Sequence, residues 1–168
     1  NGTPRSSYSV SNTTHRGTTK PKVVKPIEIS ETSLTLLKGK TKKLKIKYAT
    51  QSIRWKTSKK SVAKVSKNGI VKGKKAGKAI ITAVIGEKTK KCSVIVETPK
   101  ISKSNINIEV GKTETLQLKG CKHHIKWYSN DSDIVKVSKG KIKAKEIGTT
   151  KIYAVCHGKK FSCKIKVT

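Results

Sequence analysis

Acidic residues are scarce in this sequence: nine Asp and Glu stand against forty Lys and Arg in 168 residues, a formal net charge of +31. Nine dispersed carboxylates leave no pair placed for general acid–base work. No Ser or Cys stands beside His and Asp in a recognised catalytic pattern, and no glycine-rich phosphate loop occurs. These absences argue against an enzyme. Aromatic residues are also few, with two Trp, four Tyr and one Phe. A binder of single-stranded nucleic acid offers stacking platforms, and here Tyr128 and Tyr153 are the expected exposed ones. Helical periodicity is absent, and no apolar run approaches the roughly 18 residues of a membrane-spanning helix. No signal peptide is visible. With Asn1 rather than Met at its start, the chain reads as a processed or cut piece.

What is present is a pattern of short apolar pairs punctuated by turns, clearest from Trp55 to Val84. Val62 and Val65 flank a polar step, Asn68-Gly69 marks a turn, and Ala76-Gly77 opens the run Ala79 to Val84. Asn-Gly tolerates the positive φ of tight hairpin turns, and β-branched segments between such turns read as strands of an all-β domain. The pattern returns about 72 residues later. Trp127 answers Trp55, Ile134 to Ser138 answer Val62 to Ser66, Gly140 answers Gly69, and Gly148 answers Gly77. Upstream, Gly39-Lys40-Thr41 finds Gly111-Lys112-Thr113; downstream, Cys92, Val94 and Val96 find Cys163, Ile165 and Val167. A register held this long is a duplicated domain. It slips by one residue at the Asn-Gly turn, where the second copy keeps only Gly140.

Gly39-Lys40-Thr41, Trp55, Ser58, Ser61-Val62-Ala63, Val65, Asn68-Gly69, Val71, Gly73, Ala76-Gly77 and the closing strand from Cys92 to Val96 together resemble the bacterial immunoglobulin-like domain, group 2. The second copy keeps Gly111-Lys112-Thr113, Trp127, Ser129, Val135, Val137, Gly140, Gly148 and Cys163 to Val167. The resemblance covers about residues 27 to 168. It implies an exported module of bacterial surface or secreted proteins that spaces, presents or adheres. It names no single use, because such folds are scaffolds. A cell-wall or host-surface polymer or protein is the implied partner, and no cofactor is expected.

The expected architecture is all-β: two tandem immunoglobulin-like β-sandwiches at 27–97 and 98–168, preceded by a flexible basic segment at 1–26. That segment is Ser, Thr, Pro, Lys and Arg with almost nothing to bury. Its Pro21 to Pro26 stretch should be extended and lie along the first domain as an edge strand. Strands of the first domain are expected near 27–30, 34–37, 42–48, 52–56, 62–66, 69–72, 78–85 and 91–97. Alternation points Leu34, Leu36, Leu44, Ile46, Ile53, Trp55, Ile81, Ala83, Ile85, Cys92, Val94 and Val96 inward. Trp55 and Trp127 fall where immunoglobulin-like sandwiches place a core indole; a ligand-facing Trp is the alternative. Glu97-Thr98-Pro99-Lys100 is the hinge, too short to leave the domains independent, so a rod is expected.

The repeats make the four cysteines informative. Cys92 and Cys163 are equivalent, whereas Cys121 and Cys156 replace Ala49 and Ile85 of the first copy. Two cysteines gained together at the ends of different strands suggest a Cys121–Cys156 disulfide, with Cys92 and Cys163 as buried thiols; Cys156–Cys163 is the competing pairing. A disulfide suits an exported protein. Cys121, His123, His124, Cys156 and His157 form a possible zinc set, but without the compact paired spacing of a structural zinc module. Asn130-Asp131-Ser132-Asp133 has oxygen donors for calcium, yet lacks the glycine and distal Glu of the helix-loop-helix motif. Turn capping is the simpler role there.

Residues 27–97 hold 19 basic and 4 acidic side chains, and 101–168 hold 15 and 5. Such a field draws polyanions through counterion release. Teichoic acid, a glycosaminoglycan or DNA would meet Lys43, Lys45, Lys47, Arg54 and Lys56. The simpler reading is a solvated face, since Lys43, Lys45 and Lys47 alternate with Leu44 and Ile46, and edge lysines discourage strand-to-strand association. Two rivals to the spacer therefore stand: a polyanion-binding module, and an accessory domain of a larger secreted enzyme. A carbohydrate-binding surface would need Tyr128 and Tyr153 on one face.

Overall fold

A computed structural model describes residues 25–168; the proposed N-terminal segment up to residue 24, including most of the Pro21 to Pro26 stretch, lies outside them. The described residues form eighteen strands, in two sets of nine. The first holds β1 (Glu28–Ile29), β2 (Ser33–Leu37), β3 (Thr41–Lys43), β4 (Ile46–Lys47), β5 (Ile53–Thr57), β6 (Ala63–Val65), β7 (Ile70–Gly73), β8 (Gly77–Ile85) and β9 (Lys88–Glu97). The second holds β10 (Lys100–Ile101), β11 (Asn105–Ile108), β12 (Thr113–Thr115), β13 (Leu118–Lys119), β14 (Lys126–Ser129), β15 (Val135–Ser138), β16 (Lys141–Ala144), β17 (Gly148–Cys156) and β18 (Lys159–Val167).

Each set forms a four-stranded sheet facing a three-stranded one, with a two-stranded pair at one end. The first set has orders β2-β9-β8-β5, β3-β7-β6 and β1-β4; the second has β11-β18-β17-β14, β12-β16-β15 and β10-β13. The topologies are identical. All ladders are antiparallel except β2 with β9 and β11 with β18, which run parallel. The all-β double sandwich follows from alternation. In β8, Ala79, Ile81, Ala83 and Ile85 are buried while Lys78 and Ile80 are exposed. Cys92, Val94 and Val96 of β9 meet them from the same side.

The strand expected over 42–48 is divided. Its first part, β3, pairs with β7, and its second, β4, pairs with β1. Between them Leu44 is 1% exposed and its N–H donates to Gly69 O at 2.9 Å. Burying Leu44 in the middle of the sandwich forces the chain to change sheets there.

The Asn-Gly turn also differs from the two-residue hairpin that its dipeptide favours. Gly69 N–H donates to Ser66 O at 3.0 Å, and only Gly69 has positive φ (76°), Asn68 keeping an ordinary one. This is a three-residue loop ending in a left-handed glycine. The second copy shortens it to Lys139-Gly140, with φ 49° and 86°, both left-handed as a two-residue turn requires. The glycine is needed twice over: a Cβ at Gly69 would stand 2.9 Å from the Trp55 ring and 2.7 Å from Leu44 O. Trp55 is half-buried against the first core and Trp127 against the second.

Candidate functional site

The last strand of the first sandwich carries Glu97 into the joint between the two. Its side chain is 3% exposed. A carboxylate removed from water must find donors, and all of those it finds belong to the second sandwich. Oε1 accepts the Lys122 N–H at 3.1 Å, Oε2 lies 3.1 Å from His157 Nε2, and His123 Nδ1 stands 3.5 Å from Oε1. The His123 and His157 rings meet edge to face with centroids 4.3 Å apart. Only Thr98 and Pro99 separate β9 from β10, and they pass against Gly120, where a Cβ would stand 2.7 Å from Thr98 O. Gly120 is therefore a close-approach glycine.

His157 is held in an uncommon way. It occupies the two-residue turn between β17 and β18 with φ 49°, followed by Gly158 at 73°. The first copy has Gly86, at φ 56°, in its place. A left-handed backbone costs a non-glycine residue about 1–2 kcal/mol, so this turn accepts strain to aim an imidazole at Glu97. Beside it, Cys121 and Cys156 form a disulfide with Cα atoms 6.5 Å apart. Cys156 is buried in a small third cluster with Leu118 and Ala154, against which Ile125, Trp127 and Phe161 pack. The ligating atoms of Glu97, Cys121, Cys156 and His157 all lie within 4.8 Å of one another.

Of the residues that sequence reasoning set aside as a zinc set, Cys121, Cys156, His123 and His157 do meet here, and His124 is exposed. Glu97 was missed, and so was the role of the joint. Two signals were present: His157 stands where the repeat has glycine, and Glu97 is one of only nine acids in the chain. His123 faces Glu97 from the loop before β14.

The remaining candidates lie elsewhere. Cys92 and Cys163 are buried free thiols. Burial, with Glu31 nearby, pushes the Cys92 thiol up to about 11, and burial likewise raises Cys163 against the opposing pull of Lys103. Lys43, Lys45, Lys47, Arg54 and Lys56 are all exposed, but Lys43 lies on β3, Lys47 on β4 and Arg54 and Lys56 on β5, in three different sheets, with Lys45 between β3 and β4. In the acidic loop, Asp131 Oδ1 accepts the N–H groups of Asp133 and Ile134 at 3.0 and 3.3 Å, and Lys145 Nζ lies 3.5 Å from Asp133 Oδ1. That is an Asx cap.

Tyr128 and Tyr153 are cross-strand partners on β14 and β17 and stack with centroids 5.0 Å apart and planes 20° from parallel. Lys160 Nζ lies 5.6 and 5.8 Å from the two ring centres. Hydrogen bonding to the Tyr128 hydroxyl raises the Lys160 ammonium above its ordinary pKa. The first copy has Lys56 and Thr82 at the tyrosine positions, so this aromatic and basic face belongs to the second sandwich alone.

The family model of the bacterial Ig-like domain (group 2) matches residues 23–96. The first sandwich is a bacterial Ig-like domain of group 2. The second repeats its strand order. No curated protein matches the chain. Among solved structures, a C-terminal 282-residue fragment of intimin, in complex with the intimin-binding domain of the translocated intimin receptor, superposes with a TM-score of 0.57 at 16% identity, over 86% of this chain and 64% of that one. A bacterial Ig-like domain containing GH10 xylanase from termite gut matches at TM-score 0.37 and 23% identity, over 46% of this chain and 24% of that one. The S-layer protein rSbsC(31-844) matches at 0.35 and 19%, over 75% and 22%. The chain thus spans under a quarter of that S-layer protein and under two thirds of the intimin fragment. The intimin likeness is one of fold; bacterial Ig-like domains of this kind are generally non-catalytic modules.

Proposed function

We propose that this chain is a non-enzymatic, exported bacterial module that spaces or presents neighbouring domains at the cell surface. The buried Glu97 carries this reading. A spacer transmits position only if its units keep a fixed angle, and this carboxylate binds the second sandwich through Lys122 N–H and His157. The two-residue connection leaves little slack besides. Backbone relaxation by NMR tests it: both sandwiches of the full chain should share one rotational correlation time. Glu97→Ala should let them tumble separately while each stays folded. Independent tumbling of the unsubstituted chain would defeat the spacer reading.

A second reading has its own support. The Tyr128–Tyr153 stack under Lys160 meets the condition set for a glycan-binding surface, and stacked rings capped by a lysine suit an acidic polymer. Binding to heparin, duplex DNA and teichoic acid across a salt series decides it. One polymer should be held at about 0.15 M salt and released by Tyr128→Ala with Tyr153→Ala. Weak, equal binding of all three, lost as salt rises, would mean a solvated coat of charge. Loss on substituting Lys43, Lys45, Lys47, Arg54 and Lys56 instead would move the site to the first sandwich.

A further inference from the structure

We propose that reduction of the Cys121–Cys156 disulfide turns the joint into a binding site for Zn2+ or a chemically similar divalent cation, with Cys121, Cys156, His157 and Glu97 as its four ligands. This goes beyond the spacer reading and does not depend on it. The ligand atoms already lie within 4.8 Å of one another, and they come from three separate segments and both sandwiches. That explains why no compact sequence motif announces them. Two thiolates, an imidazole and a carboxylate are a donor set that zinc accepts in tetrahedral geometry.

Two further observations point the same way. Glu97 is a buried carboxylate whose two oxygens face the cysteines and histidines of the other sandwich, with Oε2 4.0 Å from Cys156 Sγ. A disulfide sulfur has no proton to donate, so that approach is no hydrogen bond. His157 keeps a left-handed backbone where the other copy has Gly86, and its Nε2 is aimed at the same Oε2. Both cysteines are also private to the second copy.

The chemistry balances. A dithiol reductant gives two electrons and two protons to the Cys121–Cys156 bond and becomes a cyclic disulfide. The cation then displaces the two thiol protons. Zinc–sulfur bonds of about 2.3 Å in a tetrahedron set the sulfurs roughly 3.8 Å apart. Side-chain rotation supplies that opening with the Cα atoms 6.5 Å apart. The disulfide ties together two segments of the second sandwich only, whereas the cation adds Glu97 of the first. The two staples are therefore alternatives with different reach.

The test uses the full chain, reduced with a phosphine so that no thiol reagent competes for metal, and titrated with Co2+. One equivalent should bind with thiolate-to-cobalt charge-transfer and tetrahedral visible absorption, and Zn2+ should displace it. His157→Ala and Glu97→Gln should each weaken binding at least about ten-fold, the smallest loss usual for even an outer-shell partner. Cys121→Ser with Cys156→Ser should remove the charge-transfer band. The proposal fails if the reduced chain binds no more Co2+ than that double variant, if the oxidised chain binds equally, or if both single variants bind like the parent. Near-ultraviolet circular dichroism follows folding in parallel. If the reduced second sandwich loosens, Zn2+ must restore its signal, and failure to do so also overturns the site.

Discussion

Replacing Cys121 and Cys156 together by alanine should destabilise the second sandwich by about 3–4 kcal/mol, the chain-entropy value for a loop of their separation, which is 35 residues. For a unit of this size that is a fall in Tm on the order of 15–25 °C. The effect should be confined to one half of the molecule. The first sandwich has Ala49 and a buried Ile85 at these positions, and no bridge to lose. The bridge matters because the second core is divided. Cys156 belongs to the small cluster of Leu118 and Ala154, set apart from the main cluster around Ile142, Ile152 and Ile165. A unit of about 70 residues buries a modest share of its surface, and a divided core holds less well than one. Calorimetry of the double variant should show two transitions where the parent shows closer ones, the lower belonging to residues of β10 to β18. An unmoved pair of transitions would mean that the disulfide restrains nothing the core does not already hold.

Trp127→Ala should cost about 3–5 kcal/mol, the usual range for deleting a core indole. Trp127 packs against both clusters of the second sandwich and so joins its divided core. The turn depends on it too: the backbone at Gly140 lies so near that a Cβ there would be 3.3 Å from the ring. Trp55→Ala should cost less, because Trp55 packs against one cluster. Urea denaturation followed by far-ultraviolet circular dichroism measures both, and Trp127→Phe should recover part of the loss. A cost under about 1 kcal/mol at Trp127 would place the indole outside the core and revive a ligand-facing role, because exposed substitutions are usually within about 0.5 kcal/mol.

The inward positions were legible because alternation is local. Leu44, Ile81, Cys92 and Val94 are buried where a period of two puts them, and duplication read the second sandwich by transfer. Two things were not legible. The change of sheet at Leu44 and the parallel pairing of β2 with β9 depend on partners about 25 to 60 residues distant, which no local pattern encodes. The joint depends on how two sandwiches dock, and each was read alone. Glu97 therefore looked like a hinge residue, although the partners of its carboxylate lie in the other half. His157 was the sharper of the two clues, since a β-turn that trades Gly86 for histidine accepts strain for some return.

The parallel pairing of first and last long strands decides how the chain carries tension. Ser33–Leu37 lies beside Ser93–Glu97, and Asn105–Ile108 beside Lys164–Val167, each pair running the same way. A pull on the two ends of a sandwich then drags its paired strands in opposite directions along their own length. The ladder bonds bear that load together and must break together, whereas a terminal antiparallel hairpin would unzip one bond at a time. Each unit is thus a link that resists stretching along the chain, whatever stands at its tip.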